Sequence, residues 1–142
     1  MIGRPHILFF ALLPLIAIAA DTTTTLTPSK EGASVRIISP ADGENLASPV
    51  TVVFGLAGMG VAPAGVDKAG TGHHHLLVDA PLPPLGQAIP SNENYRHFGG
   101  GQTQVTLELE PGEHTLQLLL ADYKHMPHEP PVYTEVIKIN VR

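Results

Sequence analysis

Three consecutive histidines, His73, His74 and His75, are the residues of this chain whose type and spacing suggest chemistry. The apolar run 76–78 follows them, which predicts a buried β-strand. Because alternate residues of a strand share a face, His73 and His75 point the same way with their Cα atoms about 7 Å apart. Imidazole nitrogens are ligands for copper, zinc, iron and nickel. The spacing therefore indicates a chelating pair.

A second group of donors lies in the segment 122–131, which carries His125, Met126 and His128 together with three prolines. Because proline fixes φ, this loop can hold its ligands at a lower entropic cost than its length suggests. The thioether of Met126 is a soft donor that favours copper, whereas an all-imidazole site accepts zinc equally well.

His97 lies in the long Pro/Gly-rich connection 80–102. A structureless loop of this length is uncommon in a compact domain unless it is functional. We therefore predict a site for one transition metal ion, with copper preferred and zinc as the other choice. The predicted ligands are His73, His75 and His125, with help from His97, His128 or Met126.

The alternative is a structural role for the histidines, since a buried imidazole can hydrogen-bond both nitrogens to backbone or carboxylate groups. We expect this role for His114, which continues an apolar face, and for His74, which faces away from its neighbours. Asp79, Asp122 and Glu129 are available as partners. If all the histidines were structural, the protein would be a structural or interaction module of the cell envelope.

Composition excludes several other classes. The chain has no cysteine, which rules out disulfides, thiol catalysis and cysteine-ligated metal sites. Its net charge of −5 argues against nucleic-acid binding, which needs a basic surface. The sequence contains no G-x-S-x-G, H-E-x-x-H or G-x-x-x-x-G-K motif. We therefore expect no enzymatic activity.

The N-terminus has the order of a signal peptide, namely Arg4, an apolar stretch 7–18 and then small residues. We predict a signal peptide over 1–20, cleaved at one of its last two alanines. The apolar stretch is shorter than the about 20 residues of a membrane-spanning helix, and Pro14 interrupts it. The mature protein should be periplasmic or secreted, with no stable membrane insertion.

The rest of the chain predicts one β-domain. Residues 21–34 are Thr-rich and lack a hydrophobic period, which indicates a disordered leader. Residues 35–142 contain short apolar or alternating runs separated by Gly/Pro turns, and no helical period. The pattern predicts an all-β fold, an immunoglobulin-like antiparallel β-sandwich. The predicted strands are 35–38, 50–56, 73–79, 103–109, 114–121 and 132–141.

Several ordered motifs also carry a resemblance to a known family. They are GTGHHHLLVD at 70–79, HFGGGQT at 97–103, PGEHTLQL at 111–118, and DYKH at 122–125 followed by PPV at 130–132. In these motifs the chain resembles a bacterial family of exported domains of unknown function, the family numbered four-three-nine-nine. The resemblance covers most of the predicted domain and implies export and a single small β-domain, without implying a ligand.

Overall fold

A computed structural model describes residues 25–142, and in this range it contains strands and no helix. The strands are β1 (Ser34–Ser39), β2 (Glu44–Leu46), β3 (Val50–Ala57), β4 (Gly60–Val61), β5 (Thr71–Val78), β6 (Tyr95–His97), β7 (Gln104–Leu107), β8 (Gly112–Ala121) and β9 (Ile137–Val141). The described part of the chain thus has no helix long and apolar enough to cross a membrane. The predicted signal peptide, 1–20, lies outside the described residues.

The strands form two sheets. The smaller sheet has the order β1-β3-β7, and both of its pairings are antiparallel. The larger sheet has the order β2-β9-β8-β5-β4, and β6 also pairs with β5. Its central pairings are antiparallel, while β2 with β9 and β4 with β5 are parallel. The prediction of an all-β sandwich is confirmed, and the immunoglobulin-like topology stays a prediction.

The main core lies between the two sheets. Val52 and Phe54 of β3 contribute from the smaller sheet, and Leu76 of β5 and Leu118 of β8 contribute from the larger one. Each of these side chains is at most 3% exposed. Complete burial of a side chain of this size stabilises the fold by about 1.5–3 kcal/mol relative to leaving it exposed. This packing fixes β5 and β8 as the inner strands that carry the site described below.

The outer face of the larger sheet is covered as well. Leu77 of β5 and Leu119 of β8 pack there with Ile89, which belongs to the connection between β5 and β6. This connection lies over the sheet and shields its outer face from water. As a result, β5 is buried on both faces from Gly72 to Val78.

Some strands differ from the sequence prediction. The predicted strand 132–141 is shorter, because regular pairing begins at Ile137 and Tyr133 forms only an isolated bridge to Leu119. The short strands β2, β4 and β6 were not predicted, and β6 lies inside the connection expected to be structureless. They contain two or three residues each, which is too few to show an alternating pattern.

Part of the expected leader, 21–34, contacts the domain where the structure describes it. Pro28 forms a parallel bridge with Glu129, and the Thr27 hydroxyl donates a hydrogen bond to the Asp122 carboxylate. These contacts use backbone groups and hydroxyls rather than apolar side chains. A search for hydrophobic periodicity does not detect segments held in this way.

Candidate metal centre

Four histidines from three segments meet on the outer face of the larger sheet. The alternation of β5 places His73 and His75 on this face. His97 of β6 is the register partner of His75, so its side chain lies on the same face. His125 comes from the turn that follows β8, whose last residue, Ala121, is the register partner of His73. We call His73, His75, His97 and His125 the histidine cluster.

The rings of the cluster are within a few ångströms of one another. Their centroid separations run from 4.3 Å for His97–His125 to 6.0 Å for His75–His125. One nitrogen from each of His73, His97 and His125 lies within 4.8 Å of the other two. Tetrahedral zinc with Zn–N bonds of about 2.0–2.1 Å holds its nitrogens about 3.3 Å apart. The three nitrogens are thus near enough to one another that the group could hold a metal ion.

The inner half of the cluster is fully buried. His73 and His75 are each 0% exposed, and none of their four ring nitrogens has a hydrogen-bond partner. Most buried polar groups in proteins are paired, and an unpaired one costs about 1–3 kcal/mol. His97 and His125 are only half-buried. The cluster therefore has two buried rings whose nitrogens lack hydrogen-bond partners, and two rings that are partly exposed to solvent.

The surroundings keep the buried rings neutral. The pKa of His73 is lowered to about 4, chiefly by burial and then by the neighbouring His125 and His97, while Asp122 acts in the opposite direction. Burial also lowers the pKa of His75 to about 2, with added contributions from the other cluster rings. The pKa of His97 is lowered by burial and then by His125. Metals bind the neutral form of imidazole, which at neutral pH is the form of these three rings.

His74 occupies the opposite face of β5, as its parity predicts. Its ring lies in the core, 5.3 Å from the Phe54 ring between centroids. Neither of its ring nitrogens has a partner in good hydrogen-bond geometry, and burial lowers its pKa while the nearby Gln102 backbone acts in the opposite direction. It is therefore a core residue, but without the paired nitrogens expected of a structural histidine.

His114 has the structural role predicted for it. Its Nδ1 lies 2.6 Å from Asp79 Oδ2, and its Nε2 lies 2.8 Å from the Glu110 carbonyl oxygen. Both partners are acceptors, so only the protonated ring, with a donor on each nitrogen, satisfies both. The hydrogen bond with Asp79 accordingly raises the pKa of His114.

The structure places His128, another predicted ligand, outside the histidine cluster. Its ring is fully buried, and its Nε2 lies 3.2 Å from the Thr71 carbonyl oxygen. The ring packs directly against Gly72, since a Cβ added at Gly72 would lie 2.8 Å from the His128 Cε1 atom. Gly72 shares the parity of His74, so His128 packs on the core side of β5 and His73 faces the other side.

Met126, the other predicted helper, contributes its backbone to this region. Its N–H donates to the Asp122 carboxylate, and its carbonyl accepts from the Asp122 N–H. His97, predicted as a helper, lies in the middle of the cluster, with its ring centroid 4.3 Å from that of His125 and 4.8 Å from that of His75.

Comparison with known proteins identifies the family. The model of the family described as Domain of unknown function (DUF4399) matches residues 52–142, a segment that contains the whole histidine cluster. No curated protein and no solved structure is significantly similar to the chain. Because the match covers more than half of the sequence, the chain belongs to the DUF4399 family.

Proposed function

We propose that this protein is a periplasmic or secreted, non-enzymatic metal-binding protein whose histidine cluster binds one copper or zinc ion. One observation carries the proposal. His73 and His75 bury four ring nitrogens without hydrogen-bond partners, directly beside the half-buried rings of His97 and His125. A cation bound among them would give these nitrogens the partner that the protein itself does not provide.

The donor set supports a transition metal. Its members are imidazole nitrogens, which suit copper and zinc, whereas calcium and magnesium prefer oxygen ligands. The Irving–Williams order places Cu(II) above Zn(II) for a given set of nitrogen ligands. Copper is therefore our first choice, and zinc is the second.

The exposure of the cluster supports a role in metal handling or buffering. The open side, formed by His97 and His125, offers an ion a path in and out, while His73 and His75 provide ligands that water does not reach. The location in the periplasm or outside the cell is part of the proposal and depends on the signal-peptide features of the N-terminus.

The test is metal binding by the protein purified without a polyhistidine tag. Equilibrium dialysis against Cu(II) and Zn(II), with metal counted by mass spectrometry, should give one ion per chain. Loss of a group that only supports a ligand lowers metal affinity about 10–100-fold. We therefore expect His73→Leu and His97→Gln, which remove ligands, to lower the affinity at least about tenfold.

His74→Leu is the matched control. His74 is the next residue on the same strand and is equally buried, but it faces the core. This variant should keep one ion per chain and the affinity of the wild type. Absence of stoichiometric binding by the wild type would refute the proposal, and the envelope interaction module would become the better explanation of the histidines. An equal loss of affinity in His73→Leu and His74→Leu would also refute it.

A further inference from the structure

Asp122 is a buried carboxylate that organises the turn carrying His125. It is 3% exposed. Its Oδ1 accepts hydrogen bonds from the backbone N–H groups of Lys124, at 2.8 Å, and Met126, at 3.0 Å. Its Oδ2 accepts a hydrogen bond from the Thr27 hydroxyl at 2.6 Å. One side chain thus holds the residues on both sides of His125.

His125 needs this support because its backbone is in the left-handed region, with a φ of 67°. This conformation costs a non-glycine residue about 1–2 kcal/mol. The backbone of Asp122 adds two bonds, accepting from the His125 N–H at 3.0 Å and donating to the Met126 carbonyl at 2.9 Å. The His125 carbonyl in turn accepts from the Ile89 N–H at 2.9 Å. A strained residue persists where its surroundings over-determine its conformation, as here.

Asp122 also places a negative charge near the cluster. The imidazoles of the cluster are neutral ligands, so they leave the charge of a bound cation uncompensated. The Asp122 carboxylate bonds the residues on both sides of His125, and Asp122 directly follows Ala121, the register partner of His73, so a buried acidic side chain lies beside the cluster. A charge in a partly desolvated site is stabilised strongly by an opposite charge nearby.

We propose that Asp122 is the positioning and charge-balancing residue of the metal site, and that the hydroxyl of Thr27 secures it from the N-terminal segment. The inference rests on the proposed function. It assigns a role to a residue that makes no hydrogen bond to the imidazoles. It also connects the segment that precedes β1 to the site through a single side chain.

Three substitutions separate the two roles. Asp122→Asn keeps an acceptor oxygen for the turn and removes the charge, Asp122→Ala removes both, and Thr27→Val removes only the hydroxyl. The probe is Zn(II), which has no redox chemistry. We expect the Zn(II) affinity to fall about tenfold in Asp122→Asn and about a hundredfold in Asp122→Ala, the range known for outer partners of metal ligands. Thr27→Val should lie between the wild type and Asp122→Asn.

The NMR signals of the His125 ring in metal-free protein report positioning separately from charge. They should stay in place in Asp122→Asn and should shift or broaden in Asp122→Ala. Asp79→Asn is the control for a general loss of stability, because Asp79 also accepts two hydrogen bonds, from His114 and from the Thr115 N–H. This variant should lower the melting temperature and leave the Zn(II) affinity unchanged.

The outcomes distinguish the two proposals. A wild-type protein that binds no Zn(II) and no copper refutes the proposed function. If the wild type binds Zn(II) and Asp122→Asn binds equally well, the charge-balancing role is overturned. Unchanged His125 signals and affinity in Asp122→Ala overturn the positioning role. If Asp122→Ala does not fold, the positioning role is tested by the NMR signals of the His125 ring in Thr27→Val. Unchanged signals in that variant overturn the positioning role.

Discussion

His73 and His75 sit in the metal-free protein at a cost to its stability. Their ring nitrogens are buried without hydrogen-bond partners, and each unpaired buried polar group costs about 1–3 kcal/mol. A leucine of similar volume would fill the same space without polar atoms. Residues that reduce the stability of a fold in this way are typical of functional sites, where the residue type is determined by ligand binding rather than by packing.

We predict that His75→Leu raises the free energy of unfolding of the metal-free protein by about 1 kcal/mol and reduces its gain in melting temperature on adding metal. Urea unfolding in the presence of a chelator measures the first effect. His114→Leu is the comparison, because both nitrogens of His114 are hydrogen-bonded and its loss should destabilise. A clear loss of stability in His75→Leu would show that the buried ring makes contacts the metal-free fold requires.

At the scale of elements, the close approach of β5 and its neighbours decides where the histidines lie. An added Cβ at Gly72 would lie 2.6 Å from the Ala121 carbonyl oxygen of β8 and 2.8 Å from His128. The first of these atoms belongs to the backbone and cannot rotate away. Gly72 therefore lets His128 and the end of β8 pack against the start of β5, directly before the cluster begins.

Gly72→Ala should destabilise the protein by about 1–3 kcal/mol, because the side chain forces the packed elements apart. Thermal or urea unfolding provides the measurement. Gly60→Ala in the adjacent strand β4 is the control, since its Cβ would meet only a Thr71 methyl at 3.6 Å. We expect it to change the stability by less than about 0.5 kcal/mol. Equal effects of the two substitutions would contradict the close packing at Gly72.

At the scale of the whole molecule, the buried pair His73 and His75 and the hydrogen-bonded His114 make the stability depend on pH in opposite directions. Burial lowers the pKa values of His73 and His75 from the ordinary value of 6.5 to about 4 and about 2. Below pH 6.5 these two rings are protonated in the unfolded chain but stay neutral in the folded protein. The free energy of unfolding therefore falls as the pH falls. The pKa of His114 is raised, so its contribution is fully present below pH 6.5 and is lost as the pH rises through its folded value.

We predict that the metal-free protein is less stable at pH 5 than at pH 7. Each of His73 and His75 contributes a slope of up to about 1.4 kcal/mol per pH unit below pH 6.5. Urea midpoints across this range, with a chelator present, provide the measurement. The slope should become shallower in the double variant His73→Leu with His75→Leu and steeper in His114→Gln. A pH-independent wild type would mean that the buried rings titrate normally.

Much of the site could be predicted from the alternation within one strand. The period of two in β5 placed His73 and His75 on one face and His74 on the other, and the structure has them there. The role of His114 also followed from its place on an apolar face. The absence of cysteine restricted any metal site to other ligands. These inferences were accessible because a strand's side-chain directions follow from its own backbone geometry.

Only the tertiary structure decided which other residues join the pair. His97 enters because β6 pairs with β5 in a register that sets it opposite His75, and His125 enters because Asp122 holds its turn. His128, close to His125 in sequence, packs instead on the far side of β5. Such choices depend on the register between strands and on hydrogen bonds between distant segments, which are settled by packing the whole chain and leave no periodic signal within any one segment.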